Sequence, residues 1–388
     1  MGDSPANSPD APAATPIGAD DRADDIGYTC DSANKLRVLE LYSGIGGMHF
    51  ACRPDRARVV AAVDVNTTAN SVYAFNFPET RLLQRNVQSL TARELDALGP
   101  DLVTMSPPCQ PFTRQGLQRD SQDPRSSSLL SFLRVLPTMR RKPKYVLLEN
   151  VKGFETSATH AAVTEALQQC GYHIHRYLLS PTQFGVPNSR LRFYCLAKLR
   201  PARFRDCLQD DGGTPCSGEC IEKPPPSSQP TGPPPSLADF LVNPGASEQV
   251  LSDEPDYLLP DKVLSRFALI LDIVDATSTN TCCFTKGYGH YVEGTGSVLL
   301  QAPIDLMHEV YREVSPKEAA SPAVLEKLRG LRLRYFTPSE VARLMCFPEC
   351  FRFPPDLKPR HRYQLLGNSI NVRVVRALMD YLLDDGGL

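Results

Sequence analysis

Arg37-Val38-Leu39-Glu40-Leu41-Tyr42-Ser43-Gly44-Ile45-Gly46-Gly47 decides the fold. Residues 37–41 read as a short apolar strand, and the glycine turn 43–47 follows at once. The same succession repeats outward along the chain. Residues 59–65 form a second strand, with helical spacing after it over 67–77. Residues 101–105 and 145–148 are further strands, and the spacing predicts helices near 91–98, 127–139 and 158–170. Strands that are apolar throughout and alternate with helices make a parallel sheet covered on both faces. The predicted class is α/β, a doubly wound and mostly parallel sheet.

In such sheets ligands sit beyond the carboxyl ends of the strands. The residues just past each strand are the glycine turn, Asp64, Asn86, Ser106-Pro107-Pro108-Cys109-Gln110 and Glu149-Asn150. The turn lets backbone approach a ligand and exposes N–H groups at a helix start. It reads Gly-x-Gly-Gly, not the Gly-x-Gly-x-x-Gly of dinucleotide folds. Asp64 is placed either to accept from ribose hydroxyls or to cap the helix that starts near Thr67.

Two prolines ahead of Cys109 fix the backbone, so this thiol sits on a stiff loop at the sheet rim. There it is poised for nucleophilic attack once its pKa is lowered. A buried, inert thiol is the alternative, and the Pro-Pro-Cys-Gln context favours catalysis. Glu149 ends an apolar run, where an acid must be paired or protonated. Protonated, it can donate to a ring nitrogen; ionised, it needs an arginine. Arg190 and Arg192 alternate, which on a strand would face both to one side, toward Glu149, a substrate ring or a phosphate.

At 388 residues, with 41% hydrophobic and 22% charged residues, the chain can bury a large domain and a smaller one. No apolar run reaches the roughly 18 residues of a membrane helix, and no secretory leader is visible. A cytoplasmic or nuclear address follows, with the 12 cysteines as reduced thiols. Cys216/Cys220 and Cys346/Cys350 lack a second pair at zinc spacing, so no metal site is expected. The net charge of −2 hides −5 in residues 1–30, which leaves +3 elsewhere. Arg134, Arg140, Arg141, Lys142 and Lys144 form one basic cluster and Lys358, Arg360 and Arg362 another. Both permit phosphate contacts. Residues 1–30 read as a disordered acidic tail, and the proline runs of 210–236 as a surface insertion or linker.

Taken in order, residues 41–47, Asp64, residues 106–112, Glu149-Asn150-Val151, Arg190-Leu191-Arg192 and Gly367-Asn368-Ser369 resemble the motifs of the cytosine-5 methyltransferase family. They span almost the whole chain outside the tail and the insertion. The resemblance implies a Rossmann-like class I methyltransferase fold with an inserted, smaller target-recognition domain. It divides the chain into tail 1–30, catalytic domain 31–205, insertion 206–236, recognition domain 237–345 and a catalytic return 346–388. It implies S-adenosyl-L-methionine as cofactor, held by Ile45, Gly46, Gly47, Asp64, Asn86, Val87 and Ser106, with Ser369 completing the pocket. Cys109, Glu149, Arg190 and Arg192 would be the catalytic residues, and no metal is involved. Two positions depart from the wider family: Asp64 stands where glutamate is more usual, and Asn86 where an aspartate often contacts the adenine amino group.

Within the family, one branch looks closest, the small enzymes that modify aspartate tRNA at cytosine-38 in the anticodon loop. Cys283-Phe284-Thr285, then Lys286-Gly287-Tyr288-Gly289-His290 and Gly294-Thr295-Gly296-Ser297 carry this likeness, together with residues 39–49 and 107–114. It implies a tRNA partner, a monomer, and Cys283, Phe284 and Thr285 as substrate contacts; a packed cysteine is the alternative for Cys283. DNA cytosine-5 methylation uses the same chemistry and is the second reading, weakened by the lack of a long basic or cysteine-rich regulatory region. An inactive nucleic-acid-binding adaptor would be expected to lack Cys109 or Glu149, and both are present. A target base must leave its stack, which is easiest in a loop. Phe336-Thr337-Pro338-Ser339-Glu340 reads as a helix start capped by Thr337 or Ser339.

Overall fold

Alternate residues along the central strands feed two different cores. The computed structural model describes residues 35–108, 127–205, 219–230, 232–242, 257–315 and 321–384. Among them, β1 (Leu36–Leu41), β2 (Ala57–Asp64), β3 (Leu82–Gln84), β4 (Leu102–Met105), β5 (Tyr145–Val151), β6 (Tyr172–Leu179) and β7 (Arg192–Leu199) form one seven-stranded sheet. Its order is β3-β2-β1-β4-β5-β7-β6. The first five strands are parallel, and β7 runs antiparallel to both β5 and β6. The order reverses between β1 and β4, which opens a crevice beyond their carboxyl ends.

Val38, Leu102, Leu147 and Leu196 point into one core, whereas Leu39, Val103, Val146 and Ala197 point into the other. On the first side lie Met48 and Ala51 of α1 (Gly47–Ala51), Val72 of α2 (Thr67–Asn76) and the C-terminal α11 (Val372–Leu382), with Val374, Val375 and Leu378 buried. The second side is closed by α3 (Ala92–Leu98), α4 (Ser127–Val135) and α5 (Ala158–Gln169), through Leu95, Phe132 and Val163. Burying each such side chain contributes roughly 1.5–3 kcal/mol. A bulge shifts the β1/β2 register between Val38 and Leu39, whose partners are Val59 and Ala61. This turns the second half of β2 over, so that Ala61 and Val63 join the second core.

Local chemistry sets the element ends. Asn66 caps α2 by accepting from the Ala69 N–H at 3.0 Å, so Asp64 is not the cap. Thr91 and Glu94 close a capping box on α3. The helix expected over 127–139 is two pieces: α4 stops at Val135, and a 3-10 turn, Leu136–Thr138, carries Pro137. β5 outruns its expected end because β7 pairs along it as far as Val151↔Arg192. Arg190 lies in the loop ahead of β7, so the two arginines do not share a strand as expected.

Part of the proline-rich stretch does more than link. Ile221 donates its N–H to Arg176 O at 2.8 Å and accepts from Leu178 N–H at 3.0 Å, pinning the stretch to the sheet edge at β6. The first part of that stretch and the acidic tail 1–30 lie outside the described residues.

A smaller three-stranded sheet, in the order β10-β9-β8, contains β8 (Ile273–Val274), β9 (Val298–Leu299) and β10 (Arg334–Tyr335). With α6 (Asp261–Phe267), α7 (Ile304–Glu313) and α8 (Pro322–Gly330) it encloses a third core of Leu264, Val298, Val310, Leu328 and Leu331. Thr337 caps α9 (Pro338–Leu344) in a box with Glu340. Packing is continuous across residues 345 and 346, since Leu344, Met345 and Phe347 share the first core with Leu366 of α10 (Pro359–Gly367) and with Val375. No helix among the described residues is long and apolar enough to cross a membrane.

Candidate active site

The glycine turn sits in the crevice between β1 and β4. Gly46 has φ +85°, and a Cβ there would lie 2.5 Å from the Phe77 ring, so only glycine fits. Asp64, at the end of β2, accepts from Gly44 N–H at 2.8 Å and from Asn66 N–H at 2.8 Å. Gly46 N–H donates to Ser43 O. Some of the turn's donors are therefore already engaged, and its open side is the space above Gly44, where a Cβ would meet nothing within 4 Å. Ile45 is buried and packs in the first core. Ser369 returns from the far end of the chain, its Oγ 3.0 Å from where a Cβ on Gly47 would be.

The remaining rim residues differ in what they offer. Asn86 is exposed and its Oδ1 accepts from Gln88 N–H at 2.9 Å, which caps the turn Val87–Ser89. The Val87 side chain is in the second core, so its backbone is what can face a ligand. Ser106 Oγ donates to Tyr42 O at 3.2 Å, joining the ends of β1 and β4. Three neighbours of these positions escaped the sequence reading. Tyr42 holds φ +56°, a strained value outside glycine, with its hydroxyl 2.9 Å from Ser128 Oγ. Val65, directly after Asp64, is 66% exposed. Glu40 is buried beneath the turn and accepts from the Tyr73 hydroxyl at 2.9 Å. An acid inside an apolar strand was the available signal for Glu40, because such a group must find a partner.

Beside this crevice lies a charged cluster. Glu149 is 7% exposed, and its Oε1 is 3.5 Å from Arg192 Nε. Burial pushes the Glu149 carboxyl above the usual carboxylate range, against the pull of Arg192 and Arg190. Arg190 is buried and reaches two separate segments. It donates to Phe284 O and Gly367 O, each at 3.1 Å, and to Ser369 O. Its Nη1 is also 3.4 Å from Cys283 Sγ, while Arg192 Nη2 is 3.8 Å from the same sulfur. Burial opposes ionisation of that thiol, but the two guanidinium groups outweigh it, and its pKa falls below the ordinary value.

Of the three recognition-loop residues, only Cys283 faces this cluster. Phe284 is buried against Tyr288 and Phe336, with ring centroids at 4.9 and 5.3 Å. Thr285 closes the loop, its N–H donating to Thr295 O at 2.9 Å. The loop crosses Gly367 so closely that a Cβ there would lie 2.1 Å from Lys286 N.

Cys109 lies outside the described residues. The segment that leads to it is anchored, however. Met105 pairs with Leu148, which brings Ser106 level with Glu149, and Asn150 Nδ2 donates to Pro107 O at 3.4 Å.

A buried acid whose pKa is raised, an arginine beside it, and a prolyl loop entering the same crevice suit addition to a pyrimidine ring. The family model for C-5 cytosine-specific DNA methylase matches residues 36–383. The chain belongs to the cytosine-5 methyltransferase family. It is 42% identical to the Mus musculus tRNA (cytosine(38)-C(5))-methyltransferase over 91% of this chain and 94% of that protein. Crystal structures of a Spodoptera frugiperda DNMT2 variant and of Schizosaccharomyces pombe Dnmt2 superpose with TM-scores of 0.76 and 0.70. They share 40% and 36% identity with this chain, covering 90% and 91% of it and 99% and 100% of those chains.

Cytosine-5 methyltransferases belong to the S-adenosylmethionine-dependent class, and the crevice fits that group. The space above Gly44 admits a ligand, the exposed Val65 offers apolar contact, and Asp64 and Ser369 bring oxygens to the turn.

Proposed function

We propose that this methyltransferase acts on carbon-5 of cytosine in tRNA, at cytosine-38 of the anticodon loop of an aspartate tRNA. The observation that carries the reading is the buried Glu149, held 3.5 Å from Arg192 and next to the loop that leads to Cys109. The names of curated relatives at 41–42% identity support tRNA as substrate, and so does the seating of Cys283 on Arg190 and Arg192.

Chemically, the Cys109 thiolate adds to carbon-6 of cytosine, forming a carbon–sulfur bond. The ring electrons move toward the ring nitrogen, where Glu149 supplies a proton, and carbon-5 becomes nucleophilic. Covalent addition divides one difficult step into easier ones. Arg192 orients the Glu149 carboxyl and the ring. Arg190, held by three backbone carbonyls through Nη1 and Nη2, is a positioning residue that joins the recognition loop to the Gly367–Ser369 segment. Gly44, Gly46, Gly47, Asp64, Val65, Asn86, Val87, Ser106 and Ser369 hold S-adenosylmethionine, which when bound supplies the methyl group for carbon-5. Transfer of the carbon-5 proton to a water-derived base, departure of the cysteine sulfur as thiolate and return of the ring-nitrogen proton to Glu149 restore the ring. Residues 237–345 serve as the recognition domain, and residues 346–388 return to complete the catalytic one.

A transfer assay with methyl-labelled cofactor tests this directly, comparing total tRNA with duplex DNA and then mapping the labelled base. Label confined to cytosine-38 of tRNA, and lost in Cys109→Ala, is the expected result. Label in DNA alone favours the second reading, and activity retained in Cys109→Ala removes the thiol from the mechanism.

A further inference from the structure

Cys282 and Cys283 are consecutive, yet their thiols open into different places. Cys283 faces Arg190 and Arg192 in the cluster that holds Glu149. Cys282 lines a separate recess of about 190 Å³, walled by Leu271, Tyr288, Gly296 and Tyr335 and carrying the Asp272 carboxylate. Asp272 is held in place: the buried Ser297 hydroxyl donates to its Oδ2 and in turn accepts from Cys282 N–H at 2.8 Å. Gly296 keeps φ +149°, and a Cβ on it would lie 2.7 Å from both the Phe284 and Tyr288 rings. Burial and the nearby Asp272 push the Cys282 thiol up to about 11, so this face of the loop holds a neutral thiol beside an anion.

The chemistry of the recess selects its occupant. Aromatic and aliphatic walls suit a flat ring, while a fixed carboxylate accepts N–H donors and repels phosphate. A nucleobase edge offers both properties. Position matters as much: Cys282 on the recess and Cys283 on the Glu149 cluster are consecutive, their Cα atoms about 3.8 Å apart, so one loop serves both places. Tyr291 adds a stacking surface on the same loop. It is 64% exposed, packs its ring at 4.5 Å from His290, and accepts from Thr295, a recess residue, through its carbonyl.

We propose that the recess is a second base-binding subsite, where Asp272 reads the N–H edge of an unpaired nucleobase adjacent to the target cytosine and Tyr291 stacks at its mouth. This rests on the RNA reading above. The test uses the full-length enzyme and tRNA transcripts in which each base flanking the target is replaced in turn. Asp272→Asn keeps an oxygen for Ser297 but loses the charge. It is expected to raise KM for tRNA about tenfold, as the loss of a charge-assisted hydrogen bond does, with kcat and cofactor affinity unchanged. It is also expected to abolish wild-type discrimination at one flanking position. Tyr291→Ala, at an exposed site that does not threaten folding, is expected to raise KM, and Tyr291→Phe to restore it. Unaltered discrimination in Asp272→Asn at every position overturns the subsite, as does a change confined to kcat and Tm. A wild-type enzyme inactive on all tRNA overturns the RNA reading itself; an active one with an indifferent Asp272 overturns only the subsite.

Discussion

Arg192 and Glu149 meet diagonally across the antiparallel β5/β7 pair, where Glu149 lies opposite Tyr194 and Val151 opposite Arg192. The pairing puts both side chains on the face that the recognition loop covers. Burial raises the Glu149 pKa while the arginine restrains it, which favours the proton-donor role proposed for this carboxyl.

Glu149→Gln should therefore lower kcat by roughly 10²- to 10⁴-fold, the usual contribution of a placed proton donor, while cofactor binding stays near normal. The sign of the pH effect follows from the same shift. The protonated acid is the active form, so wild-type activity is expected to fall as pH rises through the elevated Glu149 pKa. Glutamine does not titrate, and the alkaline limb assigned to this group should be missing from the variant's profile. Normal single-turnover rates in Glu149→Gln would leave the acid a packing role only.

Glu40 gives a second pH signature, in stability. Its carboxyl is buried beneath the glycine turn, and burial is the main cause of a pKa raised from 4.5 to about 8; the Tyr73 hydroxyl and the Met48 and His49 N–H groups pull the other way. Below pH 4.5 folded and unfolded states are both protonated. Between there and pH 8 only the folded state keeps the proton, so stability falls as pH rises, by about 1.4 kcal/mol per unit. His49, lowered from 6.5 to about 4 by burial, gives the opposite slope between those values, so the Glu40 effect stands alone only above about pH 6.5. Glu40→Gln removes the slope, and its melting temperature is expected to gain on that of the wild type between about pH 6 and pH 8. Parallel curves for the two proteins would show that Glu40 is ionised throughout.

Much of the left half of the sheet was legible because parallel strands buried on both faces are mainly apolar, as Val38-Leu39 and Leu102-Val103 are, even with Glu40 and Thr104 buried among them. The rim followed, since chemistry collects where such strands end. β6 was hidden by its own composition: His173, His175 and Arg176 break the apolar run, although β7 pairs along its whole length. β8, β9 and β10 have two residues each, too few to show a period. The work of Arg190 was illegible for another reason. Its carbonyl partners are 94, 177 and 179 residues away in sequence, and backbone oxygens carry no residue-type signal.

That last point leads to a prediction about Arg190. Removing the guanidinium strands the carbonyls of buried Phe284 and half-buried Gly367 and Ser369, and an unsatisfied buried group costs about 1–3 kcal/mol. Arg190→Ala is expected to lower the melting temperature by several degrees and to weaken cofactor binding through displacement of Ser369. Arg192→Ala should spare stability more and kcat less, because Arg192 is half-buried and serves Glu149 and Cys283. Differential scanning fluorimetry with and without cofactor separates the two. Equal melting temperatures for the two variants would contradict the division of labour.

Gly367 provides the sharpest steric test of how the chain ends are joined to the catalytic cluster. A Cβ at this position would lie 2.1 Å from Lys286 N and 2.2 Å from Thr285 C, both backbone atoms with no rotamer to yield. Either α10 or the recognition loop must then move, at a typical overpacking penalty of about 1–3 kcal/mol. Movement of the loop draws Cys283 and Phe284 away from Arg190, whose contacts with Gly367 and Ser369 share the same guanidinium. Gly367→Ala is thus expected to reduce both melting temperature and kcat, with faster proteolysis in the loop from Cys283 to Ser297. A drop in stability alone, with kcat intact, would mean that the loop's seat on α10 is not what aligns the catalytic cluster.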